Sequence, residues 1–263
     1  MKKVLSLALS LMVVLSLFAF TACGKDEGTT FTVGFDAEFP PYGYLDQTSG
    51  EYKGFDLDLA REVCERRGWT FQAQPIDWDS KDAELKTGAI DCIWNGFTIN
   101  GREDDYTWSK PYIDNSQVVV VKADSNITKL SDLAGKNVAV QTDSSAQSVL
   151  EDEEKQKALA DTFKTLDVQK DYNTCFLNLQ SGVVDAIAMD IGVAKYQLSQ
   201  RESGEYVILD EKLATEQYGI GFKLGNEELR DQVQETLDEI IADGTFEKLA
   251  EEYGIDSNSL ILE

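Results

Sequence analysis

The chain has 263 residues, with 48 acidic against 24 basic side chains, a formal charge of −24, and no histidine. Such acidity argues against nucleic acid as a partner and disfavours close docking onto anionic headgroups. Without histidine, every mechanism that needs an imidazole base or an imidazole metal ligand is excluded.

In chain order, residues 1–3 form a short basic start, and residues 4–20 are apolar apart from Ser6, Ser10 and Ser16. Thr21 and Ala22 then place small side chains directly before Cys23. This reads as a secretory signal over 1–22. Its end resembles a bacterial lipobox, with Phe20 where leucine is usual, so lipidation is expected at Cys23. An uncleaved membrane anchor is the rival reading, since the apolar run approaches spanning length. Residues 23–30 are then a lipid-attached linker. The rest is ample for the core of one or two domains.

A strand is expected over 31–35, ending at Asp36 in a turn that contains Pro40 and Pro41. Helical spacing over 55–67 closes at Gly68, a strand follows over 69–76, and residues 81–87 lead into the phrase LKTGAIDCI at 85–93. This strand–helix–strand–helix–strand order implies parallel pairing. A strong strand is expected over 117–122, a short helix over 129–135 and a strand over 138–140. A helix then runs from Ala146 toward 151–154. The earlier phrase returns as LQSGVVDAI at 179–187. Each copy reads as a helix end, a glycine stop and a buried strand. Strands are expected near Val207 and over 218–222, and helices over 227–242 and 245–253 close the chain.

The two copies suggest two lobes: 31–115 with 219–263, and 119–213, joined by crossings at 116–118 and 214–218. Two crossings form a hinge that is stiff about all but one axis. In open α/β sheets ligands sit outside the carboxyl ends of strands. Beyond the first copy lie Asn95, Gly96, Thr98 and Arg102, and beyond the second lies Asp190. A cation from one lobe and an anion from the other suit a zwitterion. Cys64, Cys92 and Cys175 cannot all pair, and none lies in a C-x-x-C spacing. Buried free thiols are expected, with a Cys64–Cys92 bridge left open.

At this point the strings VGFDAEFPPY (33–42), GFDLDLA (54–60), WNGFTINGR (94–102), WSKPY (108–112) and MD (189–190) together resemble the polar amino-acid-binding proteins of ABC importers. The resemblance implies an α/β type II periplasmic-binding-protein fold, with two mostly parallel lobes around an interlobe cleft. It also implies ligand delivery to ABC permease subunits, no catalysis, no cofactor and no metal. A lipid-anchored monomer on the outer face of the cell membrane is expected.

The resemblance assigns Arg102 to the α-carboxylate, which suits a planar two-pronged donor, with Thr98 beside it. Ser144 and Ser145 precede a helix whose free N–H groups attract anions. Asp190 takes the α-ammonium. Asp36 meets the distal end of the ligand, Phe39 and Trp78 flank its stem, and Asn95, Gly96 and Gln141 complete the pocket. Each has a plainer rival role. Arg102 could begin an exposed charged stretch, Asp190 cap a strand end, Ser144 cap a helix, and Phe39 or Trp78 fill core. Asp91 and Asp185 are expected to cap local structure. A carboxylate at the distal end repels acidic side chains, so the expected ligand is arginine, lysine or histidine, ahead of glutamine and cystine. The rival class is a secreted dehydratase on the same fold, with Asp36 and Glu38 as acid–base groups.

Overall fold

The computed structural model describes residues 28–262; the expected signal segment and lipidation at Cys23 lie outside the described residues. The first lobe opens with β1 (Thr30–Phe35), a small meander of β2 (Glu38–Phe39), β3 (Gly43–Leu45) and β4 (Tyr52–Lys53), then α1 (Phe55–Arg67) and β5 (Thr70–Pro75). It continues through α2 (Lys81–Thr87), β6 (Cys92–Thr98) and β7 (Tyr106–Trp108) into the long strand β8 (Ile113–Lys122). The second lobe contains β9 (Asn137–Gln141), α3 (Ser145–Glu151), α4 (Lys157–Ala160), β10 (Thr165–Gln169), α5 (Tyr172–Ser181), β11 (Ala186–Asp190), α6 (Ile191–Ser199) and β12 (Tyr206–Ile208). A second long strand, β13 (Ala214–Lys223), leads to α7 (Glu227–Ala242) and α8 (Thr245–Glu252).

The sheet order is β10-β9-β11-β8-β13-β6-β1-β5. The parallel triplets expected from the alternating order are present: β1 lies between β5 and β6, and β9 between β10 and β11. The lobes meet through β8 and β13, which each serve both sides. The start of β8 pairs antiparallel with the start of β13, from Gln117 opposite Ala214 to Ile113 opposite Tyr218. Beyond that ladder β8 turns to β11, while β13 turns to β6. The crossing is therefore itself a hydrogen-bonded ribbon.

The repeated phrase builds the same corner twice. Helix α2 ends at Gly88 with φ +80°, and α5 at Gly182 with φ +78°, where a residue without Cβ is favoured. The Thr32 N–H donates to Asp91 (2.7 Å), and the Asn137 N–H donates to Asp185 (2.8 Å). Both aspartates thus tie the start of one strand to the start of its neighbour. Strands β6 and β11 are buried along their whole length, as parallel strands covered on both faces require.

The C-terminal helices pack on α1. Phe55 and Phe246 stack edge to face at 5.3 Å, and Arg67 donates to Gln232 O and the Thr236 hydroxyl. Val233, Leu237 and Ile240 bury the inner face of α7, with Leu229 and Ile241 half-buried beside them. Other details differ from the sequence expectation. Residues 129–135 form only a single tight turn at Leu130–Leu133, and the helix begun at Ser145 stops at Glu151. The meander, β7 and α4 are too short to leave a periodic pattern. Cys64, Cys92 and Cys175 are free and buried.

Candidate functional site

The carboxyl ends of β6 and β11 open onto one cavity. Its wall is formed by Phe39, Trp78, Asn95, Gly96, Phe97, Thr98, Arg102, Gln141, Ser144, Ser145 and Asp190. Every residue expected from the sequence lies in that wall except Asp36. The Asp36 carboxylate sits one layer behind. Gln141 Nε2 donates to it at 2.6 Å, and the Asp36 N–H donates to Asn95 Oδ1 at 2.9 Å. Phe97 joins the wall unannounced by the sequence.

Gly96 is set by its surroundings. It has φ +56°, and a Cβ there would fall 2.9 Å from the Phe39 ring and 3.0 Å from that of Tyr218. Its N–H donates to Asp56, which is fully buried at the start of α1. Burial pushes the Asp56 carboxyl up to about 7, against the opposing pull of the Gly96 N–H, the Tyr112 hydroxyl and the Trp94 indole.

Arg102 lies on the turn after β6, its guanidinium 5.2 Å from the Phe97 ring centroid. It donates to Thr98 O (3.3 Å) and Asp143 O (3.2 Å) and has no carboxylate partner among the described residues. On the aromatic walls, Trp78 meets Phe97 edge to face at 5.5 Å, and Phe39 lies 6.0 Å from Tyr172.

Asp190 occupies the N-cap position of α6, yet its side chain makes no capping bond. A capping carboxylate is worth about 1 kcal/mol to a helix, and here that gain is forgone. All its hydrogen bonds fall on Oδ1, from Asn115 Nδ2 (2.8 Å), Gln117 Nε2 (2.8 Å) and the Tyr218 hydroxyl (2.6 Å). Oδ2 has no donor among the described residues. Burial, then the adjacent Glu216, hold the Asp190 carboxyl well above the usual range. Ser144 does cap a helix: its Oγ accepts the Gln147 N–H at 3.1 Å.

Glu216, on β13, is a buried carboxylate that sequence reading missed. Its Oε1 accepts from the Thr98 hydroxyl (2.9 Å), Asn115 Nδ2 (2.6 Å) and Gln117 Nε2 (2.8 Å), and its Oε2 accepts from the Ser145 hydroxyl. Asp36 is also raised, to about 6, mainly by burial and against the Glu38 N–H and Gln141. The cavity wall thus holds the Asp190 carboxylate and the Arg102 guanidinium, with the carboxylates of Asp36 and Glu216 buried directly behind it.

The lobes are closed on each other by direct contacts. Lys170 pairs with Asp77 at 2.7 Å, Lys81 with Asp143, and Asn173 with Glu38. Tyr42 is buried against Gly192, so close that a Cβ on Gly192 would fall 2.3 Å from its hydroxyl oxygen.

Residues 31–256 match the family of bacterial extracellular solute-binding proteins, family 3. The L-cystine-binding protein TcyJ of Escherichia coli (strain K12) is 28% identical over 232 residues, covering 87% of this chain and 84% of that protein. An ABC uptake transporter substrate-binding protein from Streptococcus pneumoniae, solved with bound histidine, superposes with a TM-score of 0.82. It is 32% identical, covering 88% of this chain and 94% of its own. An ancestral arginine-binding protein bound to glutamine superposes with a TM-score of 0.78 at 33% identity, covering 86% of this chain and 98% of its own. With most of its length matched and the type II periplasmic-binding fold shared, the chain belongs to the bacterial extracellular solute-binding proteins, family 3.

Proposed function

We propose that the protein binds one free, polar, non-acidic L-amino acid between its lobes, outside the cytoplasm, and passes it to the permease of an ABC importer. Arg102 takes the α-carboxylate and Asp190 the α-ammonium. The observation that carries this reading is their placement on one cavity wall, from opposite lobes, with Asp190 Oδ2 unclaimed. Excess buried acid favours arginine, lysine or histidine, and relatives that bind histidine and cystine support a polar ligand. Gln141, held by Asp36, presents its amide at the distal end in place of the carboxylate itself, which keeps glutamine and cystine as the alternatives.

In this reading residues 31–115 with 219–263 close against 119–213 about crossings at 116–118 and 214–218. The body acts as a monomer tethered through lipid on Cys23; among the described residues no helix is long and apolar enough to cross a membrane. A dehydratase role is not favoured, because Asp36 and Glu38 are engaged by Gln141 and Asn173.

Titration calorimetry with arginine, lysine, histidine, glutamine, cystine and glutamate tests the ligand class. A basic amino acid is expected to bind best and to be recovered unchanged by mass spectrometry. Preference for glutamate overturns the pocket assignment, and failure of every amino acid overturns the function. Changing Cys23→Ala should release the protein from membranes; retention at full length would mean that the N-terminal segment is an anchor.

A further inference from the structure

We propose that Glu216 is a positioning residue of the cleft, which turns the Thr98 and Ser145 hydroxyls into hydrogen-bond acceptors for the ammonium group of the bound amino acid. A hydroxyl has one proton to donate and two lone pairs. Both hydroxyl protons are spent on Glu216, Thr98 on Oε1 and Ser145 on Oε2. What these side chains still offer the cavity they line is lone pairs. With Asp190 Oδ2 they make three acceptors, and an ammonium has three N–H donors. The same arrangement repels a ligand carboxylate, so it fixes which way round a zwitterion enters.

Two further observations support this role. Asn115 and Gln117 each direct their amide N–H to both Asp190 and Glu216, while their own carbonyl oxygens are buried without a donor among the described residues. Local donors are therefore drawn to the acid pair at the expense of the amide oxygens, each a cost when buried. In addition, Thr98 ends β6 of the first lobe, Ser145 begins α3 of the second, and Glu216 lies on the crossing strand between them. The three-acceptor arrangement is assembled only when the lobes are together.

This inference rests on the reading of the cleft as an amino-acid site. The charged and titratable groups facing Asp190 are Glu216 and Tyr218 on β13, the Tyr42 and Tyr172 hydroxyls, and Arg102 across the cavity. Glu216 helps to hold Asp190 above the usual carboxylate range. Removing its charge should let Asp190 ionise at lower pH.

The test uses calorimetry between pH 5 and pH 8 on wild type and Glu216→Gln. The probe is whichever of L-arginine, L-lysine, L-histidine, L-glutamine and L-cystine most raises the wild-type melting temperature. At pH 8 Glu216→Gln should bind at least tenfold more weakly. The pH at which its affinity falls off should also lie lower than in wild type. Affinity within twofold of wild type overturns the proposal. So does weaker binding with an unmoved pH profile, which a merely structural role would produce. If Glu216→Gln does not fold, Glu216→Asp keeps the charge but withdraws it by one carbon. It should bind at least tenfold more weakly with the wild-type pH profile, and normal affinity there would overturn the proposal. If no probe stabilises wild type, the amino-acid reading falls and this inference with it, an outcome distinct from the variant results.

Discussion

The two copies of the repeated phrase start from the same corner and finish differently. Up to the end of the strand they match: a left-handed glycine, an aspartate that ties two strand starts, and a fully buried parallel strand. After β6 the chain takes a turn that brings back Arg102, half-exposed and lying over Phe97. After β11 a helix starts at once, and Asp190 is left at its N-cap position with its carboxylate turned away from the helix. The shared part is scaffold. The residues proposed to hold the ligand lie just past the point where the copies stop resembling each other, as expected for sites built beyond strand ends.

This contrast predicts unequal losses. In the proposed clamp, Asp190→Ala removes the nearly fully buried residue assigned to the ammonium, and Arg102→Ala the more exposed residue assigned to the carboxylate. Removing one member of a buried pair costs about 3–5 kcal/mol. By calorimetry the loss should be on the order of a thousandfold for Asp190→Ala and a hundredfold for Arg102→Ala. Near-normal affinity in both would dissolve the clamp; the reverse order would make the first copy the stronger anchor.

A smaller effect separates two glycines that both touch Tyr42, one within β6 and one just past β11. Gly96→Ala introduces a Cβ at positive φ against Phe39 and Tyr218, so both melting temperature and affinity should fall. Gly192→Ala has an ordinary backbone, and the atoms nearest its Cβ belong to Tyr42 of the other lobe. Overpacking of this kind costs about 1–3 kcal/mol. Here it should act on closure: affinity falls roughly tenfold, while small-angle scattering shows the ligand-saturated protein more open than wild type.

Asp56 supports the first copy alone, through Gly96. Its folded-state value is raised, so its contribution to stability is fully present below the ordinary carboxylate range and is lost as pH rises through about 7. Asp56→Asn keeps an acceptor for the Gly96 N–H without that loss. The melting temperature of the variant relative to wild type should therefore climb by about 10 °C between pH 4 and pH 7. A constant difference would mean that Asp56 does not titrate in this range. The smallest effect expected is for Asp143→Asn, which removes the half-exposed partner of Lys81 yet suits the positive φ of that residue. The pair is worth about 1 kcal/mol, so affinity should fall about fivefold.

Much of the cavity wall was legible because its residues follow local signals. Helix stops, buried strands and the strings around Arg102 and Asp190 can be read within a few residues of one another. Glu216 was not legible, since a glutamate in a strand ordinarily faces water. Only the ladder that sets Glu216 opposite Asn115 brings it beside Thr98 and Ser145 of the cavity wall. The retreat of Asp36 behind Gln141 was hidden for the same reason, since the two residues come from different lobes. Tyr42, Tyr172 and Tyr218 are buried in the core, and their closeness to the acid pair comes from tertiary packing alone.

The buried free thiols make the molecule its own stopwatch. Cys64 and Cys92 lie inside the first lobe and Cys175 inside the second, each almost wholly shielded. A thiol reagent reaches them only through local opening. Mass-resolved labelling of the chain beginning after Cys23 would therefore time the breathing of each half separately, and show whether a captured ligand steadies both halves or only one.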